Sequence, residues 1–412
     1  MTAPAASPST VWTCPFCSLL CEGDAPQVGG ACTRASAMRL AHGRTAFAAG
    51  PLVDGAPLPL EAALAAAATR LAAWRQPLFG GLGTDVAGAR ALYRLAALSG
   101  AICDHADGAT LMHGVRAVQD RGQYIATIGE VRSRADLIVF FGTNGVVRFP
   151  ELLARLGIGD AGSPCRQAVF IGVDAPASWP ASVPQRHIAG SGDLFADVQQ
   201  LAALVAKQRV RDADPLLAAL ADELHAATYA VLAWEGAALP AEGALIVEAL
   251  NRTVGTLNKR TRAATFGLGG SDGAFSANQT FTWLSGLPLR TRVSAQGLVH
   301  EPRLYDAARL LIDGAVDGLL WLSTFDPERL PPATTLPRIV LGPPAMANSL
   351  RDAAMLDDCV FIPVATPGLN ADGHLFRTDG PVVLPVFAVR DDALPNAANV
   401  ITQLAALLEH VP

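Results

Sequence analysis

The long apolar runs of this chain do not alternate with polar residues. "ADLIVFFGTN" (135–144) carries five consecutive large apolar residues and then Gly-Thr-Asn. "QAVFIGVDAP" (167–176), "DGLLWLSTFDP" (317–327), "RIVLGPP" (338–344) and "DDCVFIPVAT" (357–366) repeat that form. "PLFGGLGT" (77–84) and "AATFGLGGSDG" (263–273) end in glycines. A strand with one wet face alternates, whereas an unbroken apolar run needs cover on both faces. The cover lies between the runs. "LEAALAAAATRLAAW" (60–74) is an alanine-rich helix without Gly or Pro, and "DVAGARALYRLAALSG" (85–100) reads as a helix ending at Gly100. "DLFADVQQLAALVAKQ" (193–208) is helical, and "ALIVEALNRTVG" (244–255) reads as a helix closing on Gly255. Strands separated by helices predict an α/β fold with several Rossmann-like parallel-sheet domains. Residues just after the strands then lie at the carboxyl edges of the sheets, where such folds bind ligands.

The 412 residues suffice for two or three packed domains. The spacing of elements suggests a small Cys-rich module over 1–50. A discontinuous α/β domain over 51–115 and 263–412 follows, with an inserted Rossmann-like domain over 116–262. No apolar run reaches the roughly 20 residues that span a bilayer. The opening "MTAPAASPST" lacks the basic and apolar regions of a signal peptide, so a cytoplasmic chain is expected. The net charge of −6 argues against a general nucleic-acid binder. Only 17% of residues are charged while 51% are apolar, and mean hydropathy is +0.31. So little charge implies that partner subunits cover part of the surface.

Four of the seven cysteines fall within "TCPFCSLLCEGDAPQVGGACTRA" (13–35), as C-x2-C-x3-C-x10-C: Cys14, Cys17, Cys21 and Cys32. Thiolates gathered this closely usually hold a metal, and four sulfurs suit either Zn²⁺ or a [4Fe–4S] cluster. Cys103, Cys165 and Cys359 sit among apolar residues and read as small buried hydrophobes. The loop "GLGGSDG" (267–273) contains neither a G-x-x-x-x-G-K-[ST] motif nor dinucleotide-fingerprint spacing, and reads as a turn. His105 and His113, in "DHADGATLMHG", belong to no H-E-x-x-H or other close ligand set. No G-x-S-x-G elbow is present. The basic runs "NKRTR" (258–262) and "LRTR" (289–292) interrupt an acidic chain and read as solvated faces or as a seat for a polyanion.

The cysteine segment followed by "GEVRSRADLIVFFGTN" (129–144) resembles the B subunit of formylmethanofuran dehydrogenase, a relative of molybdopterin-dependent formate dehydrogenases. The likeness continues in "SANQTFTWLSGLP" (276–288), "LSTFDPERLP" (322–331) and "GLNADGHLFRTDGPV" (368–382), in the family's order over nearly the whole chain. It implies the molybdopterin oxidoreductase/formate dehydrogenase type of fold and a [4Fe–4S] cluster on Cys14, Cys17, Cys21 and Cys32. The gap before Cys32 is shorter than in the family.

A second departure bears on activity. The family's tungsten- or molybdenum-binding cysteine lies in a Cys-His-Gly-Pro stretch that aligns with "LMHGV" (111–115). Met112 takes the cysteine's place, His113 and Gly114 remain, and Val115 replaces the proline. A thioether is neutral and cannot act as the anionic ligand of a high-valent metal. The segment "TNGVVRFPE" (143–151) also departs from the family's Asn-Pro and His-Pro-Arg elements. The resemblance therefore points to the bacterial branch in which a related chain serves a formyltransferase/hydrolase complex of tetrahydromethanopterin-linked one-carbon oxidation. There it would be a non-catalytic scaffold beside an amidohydrolase-like, a formyltransferase and a C-type subunit, with no membrane or nucleic-acid partner. It would carry no tungsten or molybdenum pterin, and Zn²⁺ or an inherited [4Fe–4S] cluster at the four cysteines. The complex would use a methylofuran-type carrier, whose polyglutamate tail Arg260, Arg262, Arg290 and Arg292 could hold. The alternative is an active tungsten- or molybdenum-dependent dehydrogenase subunit.

Overall fold

The computed structural model describes residues 11–24, 32–48 and 50–410. They divide into two compact units: residues 1–108, 270–377 and 382–412, and residues 109–269 and 378–381. The inserted unit thus begins and ends seven residues away from the sequence expectation, and residues 378–381 return to it. The N-terminal cysteine segment is grouped with the first unit instead of standing as a body of its own.

Among the described residues, the first unit is built on a sheet of nine strands. Five of them run parallel at its centre: Ile102–Cys103, Pro77–Gly83, Gly318–Ser323, Arg338–Gly342 and Cys359–Pro363, in that spatial order. Antiparallel additions flank them, Thr291–Ser294 with Gly297–His300 on one side and Leu52–Val53 with Ala56–Pro57 on the other. The central strands are buried throughout, which is why their sequences do not alternate. Leu78, Leu319, Trp321, Val340 and Phe361 form the core on one side, together with Met346 and Leu350 of the helix Met346–Asp352.

The second unit is an all-parallel sheet of five strands, ordered Arg262–Leu268, Tyr229–Glu235, Leu137–Phe141, Gln167–Ile171, Gln185–Ile188. Followed along the chain, the sheet starts at its middle strand and winds outward through Gln167–Ile171 and Gln185–Ile188. It then crosses back to add Tyr229–Glu235 and Arg262–Leu268 on the other side. The winding reverses between Leu137–Phe141 and Tyr229–Glu235. Helices Leu194–Val205, Pro215–Ala226 and Gly243–Leu257 bury their apolar stripes on this sheet through Val198, Leu201, Leu220, Leu224, Val247 and Leu250.

Local signals explain most boundaries. Helix Val86–Ser99 starts behind Asp85, whose carboxylate accepts the Gly88 N–H at 2.9 Å, and ends at Gly100 in the left-handed region at φ 69°. Helix Leu194–Val205 is capped by Asp193, and helix Ile128–Arg134 by a reciprocal Thr127–Glu130 box. One expected boundary fails. Helix Gly243–Leu257 runs through Gly255, because Val254 and Leu257 are fully buried and a mid-helix glycine costs only about 1 kcal/mol. Among the described residues no helix is long and apolar enough to cross a membrane.

Candidate functional site

The carboxyl edge of the first unit's parallel sheet gathers a buried polar network. After strand Ile102–Cys103 the chain places Asp104, His105 and Asp107, and residues 270–273 bring Asp272 to the same place. Asp272 is 4% exposed. Its carboxylate faces Arg34 at 3.2 Å and Arg329 at 3.2 Å, and Arg329 reaches Asp107 at 2.9 Å. Burial raises the Asp272 carboxyl above its ordinary range, with the two guanidiniums opposing the shift. The His105 ring is locked from both sides: Nδ1 accepts the Asp107 N–H at 2.9 Å, so Nε2 carries the proton and donates to the Asp272 carbonyl at 3.1 Å. Burial lowers its pKa, so the imidazole is neutral. His105, which belongs to no ligand motif in the sequence, is therefore a structural pivot. The 270–273 turn leaves no room for a ligand at Gly273, where a Cβ would lie 2.4 Å from the Thr84 carbonyl oxygen.

The cysteine segment is fastened to this network. Arg34 Nε donates to the Phe16 carbonyl at 2.6 Å, and the Ser18 N–H donates to Ser271 Oγ at 3.3 Å. The Trp12 indole donates to the Gly368 carbonyl at 2.6 Å. The strands Val11–Thr13 and Glu22–Asp24 pair antiparallel and close the loop bearing Cys14, Cys17 and Cys21, while Cys32 precedes the helix Thr33–His42. Cys14, Cys17 and Cys32 are buried and Cys21 half-buried. As placed, the thiols do not fit a metal. Among the described residues, no three or more His, Cys, Asp or Glu side chains are arranged to hold an ion. Cys14 and Cys32 pack instead with Trp12, Phe16, Ala35 and Leu369. Burial pushes the Cys14 thiol up to about 12 and the Cys17 thiol up to about 11, with Cys17 and Cys32 adding to the rise at Cys14 and Cys32 to that at Cys17. Cys103 and Cys359 are buried and Cys165 is half-buried.

Met112, His113 and Gly114 lie in the second unit, on the helix Gly108–Arg121. Met112 is 3% exposed. The neighbouring residues pack closely: a Cβ on Gly114 would lie 3.0 Å from the Trp234 ring, and one on Gly243 would lie 2.7 Å from the His113 ring. At the carboxyl ends of Leu137–Phe141 and Tyr229–Glu235, a further polar cluster joins Thr143, Arg148 and Glu235. The Thr143 hydroxyl donates to Glu235 Oε2 at 2.6 Å and Arg148 Nη1 donates to Oε1 at 2.8 Å. Sequence reading missed it, because Glu235 lies about 90 residues from its partners and no motif joins them.

Of the four arginines named as a seat for polyglutamate, two belong to each unit. Arg260 and Arg262 are exposed, after helix Gly243–Leu257 and at the start of strand Arg262–Leu268. Arg290 belongs to the first unit and is buried. It pairs with Asp104 at 3.3 Å and with Asp306, and donates to the Pro302 carbonyl at 2.7 Å. Its guanidinium is thus committed inside the protein, which corrects the reading of Arg290 as a ligand residue. Arg292 donates to the Gly100 carbonyl at 3.2 Å.

Four substitutions check these assignments. Cys14→Ala and Cys32→Ala should each cost about 1 kcal/mol in urea unfolding, as loss of a small buried group does, with midpoints unmoved by chelator. A much larger, chelator-sensitive loss would mean that the thiols hold a metal. Arg290→Met should cost about 3–5 kcal/mol by leaving Asp104 buried without its counterion, whereas Arg260→Ala should change stability by no more than about 0.5 kcal/mol.

No protein-family model matches the chain. The B subunit of the formyltransferase/hydrolase complex from Methylorubrum extorquens is 29% identical over 362 residues, covering 85% of this chain and 96% of that protein. The B subunit of the tungsten-containing formylmethanofuran dehydrogenase 2 of Methanocaldococcus jannaschii is 25% identical over 300 residues, covering 69% and 68%. Among solved structures, a chain of the Methylorubrum extorquens formyltransferase/hydrolase complex, determined with methylofuran, matches with a TM-score of 0.73 and 27% identity. That match covers 87% of this chain and 99% of the other. The parallel-sheet α/β architecture is that of this subunit type, and over most of its length the chain is similar to the B subunits of the formyltransferase/hydrolase complex and of formylmethanofuran dehydrogenase.

Proposed function

We propose that this chain is a non-catalytic, structural B-type component of a formyltransferase/hydrolase complex in one-carbon oxidation. Met112 carries the reading. It stands where the family's dehydrogenases place the ligating cysteine, and a buried thioether supplies no negative charge to a tungsten or molybdenum ion. The rest of the aligned stretch supports this. Gly114 is packed against Trp234, and His113 lies against Gly243, so neither position is held open for a cofactor. Likeness over almost the full length of the Methylorubrum extorquens relative favours the same kind of assembly, with a formyltransferase, an amidohydrolase-like and a C-type chain as partners. The carrier of formyl groups would then be of the methylofuran type. The complex would work in the cytoplasm. In this reading the chain contributes shape and docking surface, and the partners contribute formyl transfer and hydrolysis.

The test is isolation of the native complex through a tag on this chain. Formyltransferase and amidohydrolase-like chains should copurify, formyl transfer should proceed without an electron acceptor, and tungsten and molybdenum should be far below stoichiometric. Stoichiometric tungsten or molybdenum together with a pterin dithiolene would overturn the proposal and make this a working oxidoreductase subunit.

A further inference from the structure

The sheet of the second unit reverses its winding between Leu137–Phe141 and Tyr229–Glu235. In doubly wound sheets the loops leaving the two strands at such a point part in opposite directions, and the crevice between them is where ligands bind. The groups that usually receive an anionic ligand there are backbone N–H groups of a glycine-bearing turn, a hydroxyl, a cation and a helix N-terminus. This chain has a counterpart to most of them, and each is already engaged within the unit. The turn after the first strand is Gly142-Thr143-Asn144-Gly145. Its Gly145 N–H donates to Thr143 Oγ1 at 2.9 Å, and the Thr143 hydroxyl donates onward to Glu235 Oε2 at 2.6 Å. Arg148, on the same loop, donates to Glu235 Oε1 at 2.8 Å. The helix that follows, Leu152–Leu156, has only five residues. After the second strand the chain makes a short 3-10 turn, Gly236–Ala238, and its next α-helix begins only at Gly243, against the His113 ring.

Glu235 itself is 3% exposed. Its carboxylate therefore sits where an incoming anion would have to go, and it holds both the hydroxyl and the guanidinium that would greet one. A phosphate brought beside it would face a like charge in a desolvated setting. We propose that Glu235 is a built-in anion that closes the ligand crevice of this unit, with Arg148 and Thr143 latching the 142–150 loop down over it. The loop carries an outward apolar residue, Val147, 81% exposed, while Phe149 two positions on is buried and donates its N–H to the Gly145 carbonyl at 3.0 Å. The latch thus fixes a surface loop as well as filling the crevice. The proposal extends the scaffold reading and rests on it only in that no cofactor competes for this place. A chain that assembled with its partners could still lack the latch.

The test is hydrogen exchange of the assembled complex, carrying wild-type chain, Glu235→Gln or Arg148→Met. Either substitution should speed exchange in residues 142–150 roughly tenfold, the loss of one charge-assisted hydrogen bond, and leave the strand Gln167–Ile171 unchanged. The double variant should be no faster than the faster single one, because the two groups act through the same contact. Inorganic pyrophosphate and ADP, each at millimolar concentration, should protect nothing in the wild-type loop. Unchanged exchange in both single variants would remove the latch. Protection of residues 142–150 in the wild type by either probe would show an open anion site and overturn the closure.

Discussion

A carboxylate cannot be left without partners once it is withdrawn from water, and Asp272 is withdrawn almost completely. Its partners come from distant parts of the chain: Arg34 from the helix behind the last clustered cysteine, and Arg329 from the loop after strand Gly318–Ser323. Through Arg329 the network continues to Asp107, and through its own carbonyl Asp272 fixes His105. Segments near residues 16, 34, 105, 272 and 329 are therefore registered against one another by charge-assisted hydrogen bonds, on top of the apolar contacts beneath them. Removing both Arg34 and Arg329 would strand the Asp272 carboxylate where solvent cannot compensate, whereas the two arginines each keep about a quarter of their side chain exposed.

That arrangement accounts for the state of the cysteine segment. Four thiols close in sequence suggest a metal because a metal can organise a short loop that lacks a core of its own. Here the loop has other sources of order. The Trp12 indole, the Phe16 carbonyl and the Ser18 N–H are each tied to distant residues, and Phe16 and Leu369 supply apolar contact.

The fold was largely legible in the sequence because unbroken apolar runs such as "LIVFF" and "CVFIP" admit few arrangements other than covered parallel strands. Chain-local devices were equally visible: Asp85 and Gly100 bracket a helix just where their chemistry suits its ends. Legibility ended where long-range pairing decides. Arg290 and Arg292 share a short basic run, yet one is locked into a buried ion pair while the other reaches a backbone carbonyl. Glu235 gave no signal, since its meaning depends on two residues almost a hundred positions earlier. Gly255 misled for the opposite reason: the local helix-stopping tendency was weaker than the burial of Leu257 beyond it.

The His113–Gly114 pair has a packing role of its own in the second unit. Gly114 lies where a side-chain carbon would press on the Trp234 ring, and the His113 ring lies so close over Gly243 that the helix there admits no Cβ. These contacts are demands of packing, and they persist whether or not residue 112 binds anything. Met112 is buried on the same helix, where an unbranched thioether fills its volume readily. Packing alone is therefore enough to hold the neighbours of residue 112 in place. Likeness to an enzyme over most of a chain then measures how strictly the packing is constrained, and the identity of the one ligating atom measures the chemistry.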